Sequence, residues 1–160
     1  MGRTRAGLAV VGVAAMALLA SGCIRVQVAA AVRADDTVTG ELVVASVTQK
    51  PEDLGTVFTP PSDIAAKVRT QPYRENDFAG TRVLFEGLTF EEFGRLNQVP
   101  GGEANRLRMQ LRRAGGLVLF TARVDLTQVP APERANVGIR LSFPGRVTST
   151  NGKQSGNEVS

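Results

Sequence analysis

The side chains with chemistry to offer are few and unevenly spread. Cys23 is the single cysteine of the 160-residue chain, and it directly follows the small pair Ser21-Gly22. A thiolate is a strong nucleophile, and small residues ahead of it leave the backbone open to a processing enzyme. Carboxylates stand side by side at Asp35-Asp36 and at Glu91-Glu92, while Asp125 stands alone. Arginines recur at Arg106, Arg108 and Arg112, a spacing that places all three on one face of an extended strand. Guanidinium groups in that pattern suit phosphate or carboxylate oxygens. With no histidine in the chain, His-based catalysis and zinc sites have no basis.

The elements around Cys23 say how its thiol would be used. Arg3 and Arg5 precede fifteen uncharged residues, 6–20, and small residues follow. A positive start, an apolar run and a small-residue site make a secretory signal. The run is shorter than the roughly 20 apolar residues of a membrane span. Leu19-Ala20-Ser21-Gly22-Cys23 resembles the lipobox of bacterial lipoproteins, with Ala20 where leucine is most common. That resemblance implies cleavage between Gly22 and Cys23 and an acylated sulfur on Cys23. The alternative is an ordinary signal followed by an incidental cysteine, and a lone cysteine makes no intrachain disulfide. The expected organisation is a signal over residues 1–22 and one domain over 23–160, held outside the cytoplasm on the membrane through Cys23.

Without residues 1–22 the chain keeps 138 residues, enough for one domain with its own core, and a net charge of +2. That excess is too small to argue for nucleic acid, and stacking aromatics are scarce. The distribution says more. Residues 35–63 hold six acids against Lys50, whereas residues 106–146 hold eight arginines against Asp125 and Glu133. Either strands are solvating their outer faces, or one side of the domain faces an anion. For an exported protein the polyanion at hand is lipid phosphate.

Residues 24–33 alternate, with Ile24, Val26, Val28, Ala30 and Val32 on one face, which predicts a half-buried strand. Asp35-Asp36 supplies turn chemistry rather than an acid–base or calcium site, and residues 38–47 return as the second strand. Residues 49–61 read as loop. Thr59-Pro60-Pro61-Ser62 then opens a short helix with a stripe of Ile64, Ala65 and Val68. Residues 70–77 read as loop around Pro72, and 79–87 as a strand. Thr89-Phe90-Glu91-Glu92 is a capping box, so the two glutamates belong to a helix's first turn.

After a Pro-Gly-Gly loop over 99–104, Leu107, Met109 and Leu111 alternate with Arg106, Arg108, Gln110 and Arg112. Gly115-Gly116 turns the chain into a return strand over 117–126, giving a hairpin. Residues 137–143 give another strand, with 147–150 continuing it past Pro144-Gly145. Asn151-Gly152 predicts a hairpin turn with no full return strand after it. The expected fold is therefore α+β, a mostly antiparallel sheet with two short helices in the order β-β-α-β-α-β-β-β, incomplete at its C-terminal end.

No phosphate-binding glycine loop and no Gly-x-Ser-x-Gly is present. An envelope hydrolase would need carboxylates gathered in a cleft, for instance Glu91 or Glu92 with Asp125. The expectation is a protein that is not an enzyme, with no catalytic residue, no metal, no cofactor and no nucleic-acid partner.

Several blocks, in order, resemble the LppM-like domain family of actinobacterial lipoproteins. They are Cys23-Ile24-Arg25-Val26-Gln27-Val28, residues 54–61 ending at Thr59-Pro60-Pro61, Val68-Arg69-Thr70-Gln71-Pro72-Tyr73 and Gly87-Leu88-Thr89-Phe90. Residues 116–129, with Arg123-Val124-Asp125-Leu126, and 143–152 complete the set. The resemblance covers essentially the whole chain after Gly22. It implies a surface lipoprotein whose α+β domain binds anionic envelope glycolipids such as phosphatidylinositol mannosides, with a part in host phagocyte interaction. It also implies further strands and a C-terminal hydrophobic segment in relatives. On this reading Phe85, Phe90, Phe93, Leu107, Met109 and Phe120 line an apolar pocket, and Arg106, Arg108 and Arg112 hold the lipid headgroup at its rim. A structural or protein-binding lipoprotein without a small ligand is the competing reading, and a core filled by those apolar residues would favour it.

Overall fold

The computed structural model describes residues 24–96, 107–127, 129 and 132–160. Gly22 and Cys23, the 99–104 loop and Arg106 lie outside them.

β1 (Ile24–Val32) shows the expected alternation, its five inward residues all buried. A turn at Asp35-Asp36 leads to β2 (Thr37–Val47), and the Asp35 carboxylate accepts from the N–H and hydroxyl of Thr37. β3 (Val68–Glu75) and β4 (Phe78–Thr89) extend the sheet. β5 (Leu107–Ala114) and β6 (Leu117–Val124) form a separate two-stranded sheet. β7 (Asn136–Ser142) returns to the large sheet, and β8 (Gln154–Ser155) and β9 (Glu158–Val159) close its edge. The seven strands run in the order β3-β4-β2-β1-β7-β9-β8, with β1 and β7 parallel and the other neighbours antiparallel.

The parallel pair explains the architecture. Two parallel strands need a crossover, and here the chain between β4 and β7 crosses one face of the sheet. Its helix and hairpin cover that face. Gly87 sets up the departure with a φ of 65° at a bulge where β4 carries an extra residue against β2, so Leu88 turns inward like Phe85. Thr89 then caps α1 (Phe90–Arg95), its hydroxyl accepting from the Glu92 N–H at 3.2 Å while Glu92 accepts from the Thr89 N–H at 2.8 Å. α1 buries Phe93 against Phe85, ring centroids 5.7 Å apart. Leu107, Met109 and Leu111 of β5 pack into the same core. The described core lies within residues 24–160.

The α+β class is overturned: the domain is mostly β. Among the described residues the helical content is the six residues of α1 and two three-residue 3-10 turns, Ala65–Lys67 and Pro132–Arg134. The helix expected after Pro60-Pro61 shrinks to the first of these. Ile64 gives it no side-chain cap, and Val68 is already extended. Residues 70–77, read as loop, belong largely to β3, because an edge strand tolerates Pro72. Residues 147–150 form no strand. The hairpin turn sits at Gly156-Asn157, with Gly156 at φ 62°, so residues beyond Asn151-Gly152 pair as β8 and β9.

Candidate functional site

The β5–β6 hairpin carries both parts of the candidate site and separates them. Its inward row on β5 is Leu107, Met109 and Leu111; its outward row holds Arg108 and Arg112. Phe85, Phe93, Leu107 and Met109 are at most 4% exposed, whereas Phe90 and Phe120 are half-buried against the same core. The six apolar residues thus gather in one place, four of them fully buried. The arginines project from the opposite face of the hairpin, not from a rim beside these residues.

Cover over the core is uneven. On β6 the inward residues Val118, Phe120, Ala122 and Val124 are only half-covered, although Leu111, Met109 and Leu107, opposite the last three, are buried. Ile139 of β7 and the following Phe143 are also half-covered and pack on the same core. The apolar layer between the two sheets therefore opens on the side of β6 and β7.

The outward face of the hairpin has its own pattern. Arg108 lies directly opposite Arg123, a like-charge cross-strand pair that disfavours the hairpin on its own. No hydrogen bond or ion pair among the described residues neutralises Arg108, Arg112 or Arg123. Arg123 went unassigned in the sequence reading, although a two-residue turn at Gly115-Gly116 dictates its pairing. Leu119 stands opposite Arg112, and Leu117 is 55% exposed near the tip.

Arg113 behaves differently from its neighbours. Its Nε reaches both carboxylate oxygens of Asp36, at 3.0 and 2.8 Å, tying the hairpin tip to the β1–β2 turn. These hydrogen bonds, and then the guanidinium charge, hold the Asp36 carboxyl below its ordinary range. A lowered folded value means that the contribution is complete above the unfolded value of about 3.9 and is lost as pH falls through the folded one. The unfolding midpoint of the wild type should therefore exceed that of Asp36→Asn at pH 7, and the gap should close below about pH 4. A pH series of thermal melts on both proteins checks this.

The remaining carboxylates are engaged structurally. Glu92 caps α1 and accepts from Lys67 Nζ at 2.7 Å; the lysine contact first, then the Thr89 N–H, lowers its pKa. Glu91 pairs with Arg95 at 3.4 Å. Asp125 accepts from the Thr127 N–H and hydroxyl. On the far face of the large sheet, Arg25 donates to the Tyr73 hydroxyl and to Glu75 and lies 4.2 Å from the Phe78 ring centroid. That cluster gave no signal in the sequence beyond strand parity. A shallow depression of about 280 Å³ on the same face is lined by Ala29, Ala31 and Thr39, and its Arg140 and Glu158 pair with each other at 3.4 Å. Among the described residues, no three potential ligands come together around a metal position.

Comparison with known proteins agrees in sequence and in shape. Residues 25–160 match the family profile of the LppM domain. Protein LppM of Mycobacterium tuberculosis is 33% identical over 157 residues, covering 98% of this chain and 68% of that protein. The NMR structure of the folded domain of M. tuberculosis LppM superposes with a TM-score of 0.76 at 31% identity, over 87% of this chain and 81% of that one. A match that spans both sheets and the crossover between them leaves one conclusion: the chain belongs to the LppM domain family.

Proposed function

We propose that this is the lipid-binding domain of an envelope lipoprotein, tethered through an acylated Cys23 outside the cytoplasm and without catalytic activity. The observation that carries the reading is the one-sided cover of the core. Val118, Phe120, Ala122 and Val124 on β6, with Ile139 and Phe143, form an apolar layer that the protein itself covers only in part. An acyl chain laid there would remove about 25 cal/mol from the free energy for each Å² of apolar surface taken from water. Anionic glycolipids such as phosphatidylinositol mannosides fit the chemistry, with their chains against this layer. The headgroup would lie at its mouth rather than against Arg108 and Arg112, which face away.

A protein-binding lipoprotein without a small ligand is the second reading. It is favoured by the burial of Phe85, Phe93, Leu107 and Met109, which are at most 4% exposed and belong to the domain's core. Native mass spectrometry of residues 24–160 exposed to an actinobacterial lipid extract separates the two. Retained phosphoinositol lipid, lost in a folded Phe120→Asp variant, is the expected result. A folded wild-type segment that retains no lipid would leave the protein-binding reading in its place.

A further inference from the structure

We infer that the outward face of the β5–β6 hairpin is a docking surface for an anionic lipid bilayer. The inference goes beyond lipid cargo, because it concerns the opposite face of the hairpin from the apolar layer. Within the two strands, the outward positions hold Arg108, Arg112 and Arg123, the leucines 117 and 119, and otherwise uncharged residues. No carboxylate stands among them. The nearest one along the chain, Asp125, lies beyond the end of β6 and accepts from the Thr127 N–H and hydroxyl, and Asp36 at the hairpin tip is taken by Arg113.

Two features of this face are costly in water. Arg108 and Arg123 oppose each other directly across the strands, where like charges repel. Leu117 exposes 55% of its surface, and Leu119 is only half-covered beside Arg112. A bilayer bearing anionic headgroups relieves both at once. Lipid phosphates neutralise the paired guanidinium groups, and the leucines enter the boundary between headgroups and chains. A soluble polyanion would satisfy the arginines and leave the leucines in water, so the combination favours a membrane surface. The face would set how the domain lies on the membrane, whatever it carries inside.

The test is sedimentation of residues 24–160 with vesicles of phosphatidylglycerol mixed with phosphatidylcholine. Binding is expected to these vesicles, to weaken with salt, and to be absent with phosphatidylcholine alone. An arginine near an anionic surface accounts for about fivefold in partitioning, so Arg108→Gln, Arg112→Gln and Arg123→Gln together should lower it on the order of a hundredfold. Leu117→Ser with Leu119→Ser should weaken binding at unchanged charge. The arginine variant should melt no lower than wild type, because it removes a repulsion, and this separates lost docking from lost fold.

Equal sedimentation of wild type and the triple arginine variant would overturn the proposal, as would no binding to the anionic vesicles. So would tight binding of inositol hexakisphosphate together with vesicle binding indifferent to the leucines, which would mark a soluble polyanion site. Lipid retention in native mass spectrometry should be unchanged in the arginine variant, and vesicle docking unchanged in Phe120→Asp. The failure of either reading is thereby visible without the other.

Discussion

Gly80→Ala is expected to destabilise the domain by roughly 3 kcal/mol or more. Gly80 sits in β4 opposite Ala45 of β2, at the middle of the large sheet. A Cβ there would lie 2.1 Å from the Val44 carbonyl oxygen and 2.6 Å from the Ala45 Cα, so the conflict is with backbone that has no rotamer to change. Relief requires β2 and β4 to part locally. That would strain a ladder that also carries β3, and would disturb the neighbouring Thr81, whose hydroxyl donates to the Thr56 carbonyl and accepts from the Phe58 N–H. Against a total stability of about 5–15 kcal/mol, such a loss is a large fraction. Gly138→Ala in β7 is the control, since its Cβ would meet only the Gln27 Cγ at 4.0 Å. Urea titrations should show a large fall in midpoint for Gly80→Ala and a change within about 0.5 kcal/mol for Gly138→Ala. Similar losses in the two would mean that the close approach is not what sets the cost.

Local signals were legible in the sequence, and distant pairings were not. Alternation over residues 24–33 predicts β1 because each inward side chain meets the core directly. The Thr89–Glu92 capping box predicts α1 because both of its hydrogen bonds are made within four residues. The glycine pair after Ala114 fixes the hairpin register, and with it the apolar row of β5 and the Arg108–Arg123 pair. The parallel match of Arg25 with Asn136 has no local signature, since more than a hundred residues separate the partners. Reading the helical content too high has a physical cause as well. Ile64, Ala65 and Val68 have helical spacing, but a segment opened by two prolines and ended by Val68 is too short to propagate. Pro72 misled in the opposite direction, because a residue that breaks a central strand is tolerated at the edge where β3 lies.

The candidate site followed the same division. Strand parity was enough to put Arg108 and Arg112 together and to put Leu107 and Met109 together. Parity also implies that those two sets face opposite ways, which is incompatible with arginines at the rim of a pocket lined by Leu107 and Met109. The uneven cover over β6 and β7 depends on where the crossover lies on the large sheet, and no local pattern encodes that placement.

Phe93→Ala should cost about 3–5 kcal/mol and should loosen the crossover before the large sheet. Phe93 is 0% exposed and meets Phe85 from β4, so its ring joins α1 to the face of the sheet. α1 has only six residues, far fewer than an isolated helix needs to persist in water. Its capping box orders the first turn, while burial of Phe93 and Leu96 holds the rest in place. Truncation leaves a cavity at the junction of α1, β4 and β5 that neighbouring strands fill only partly. Hydrogen exchange should therefore show α1 and β5 losing protection first, with β1 and β2 retaining theirs. Phe90→Ala removes a half-buried ring from the same helix and should cost about 1–2 kcal/mol. If Phe93→Ala cost no more than Phe90→Ala, its ring would be lining a space rather than filling a core. Lipid would then have access to the centre of the domain, and not only to the open side along β6 and β7.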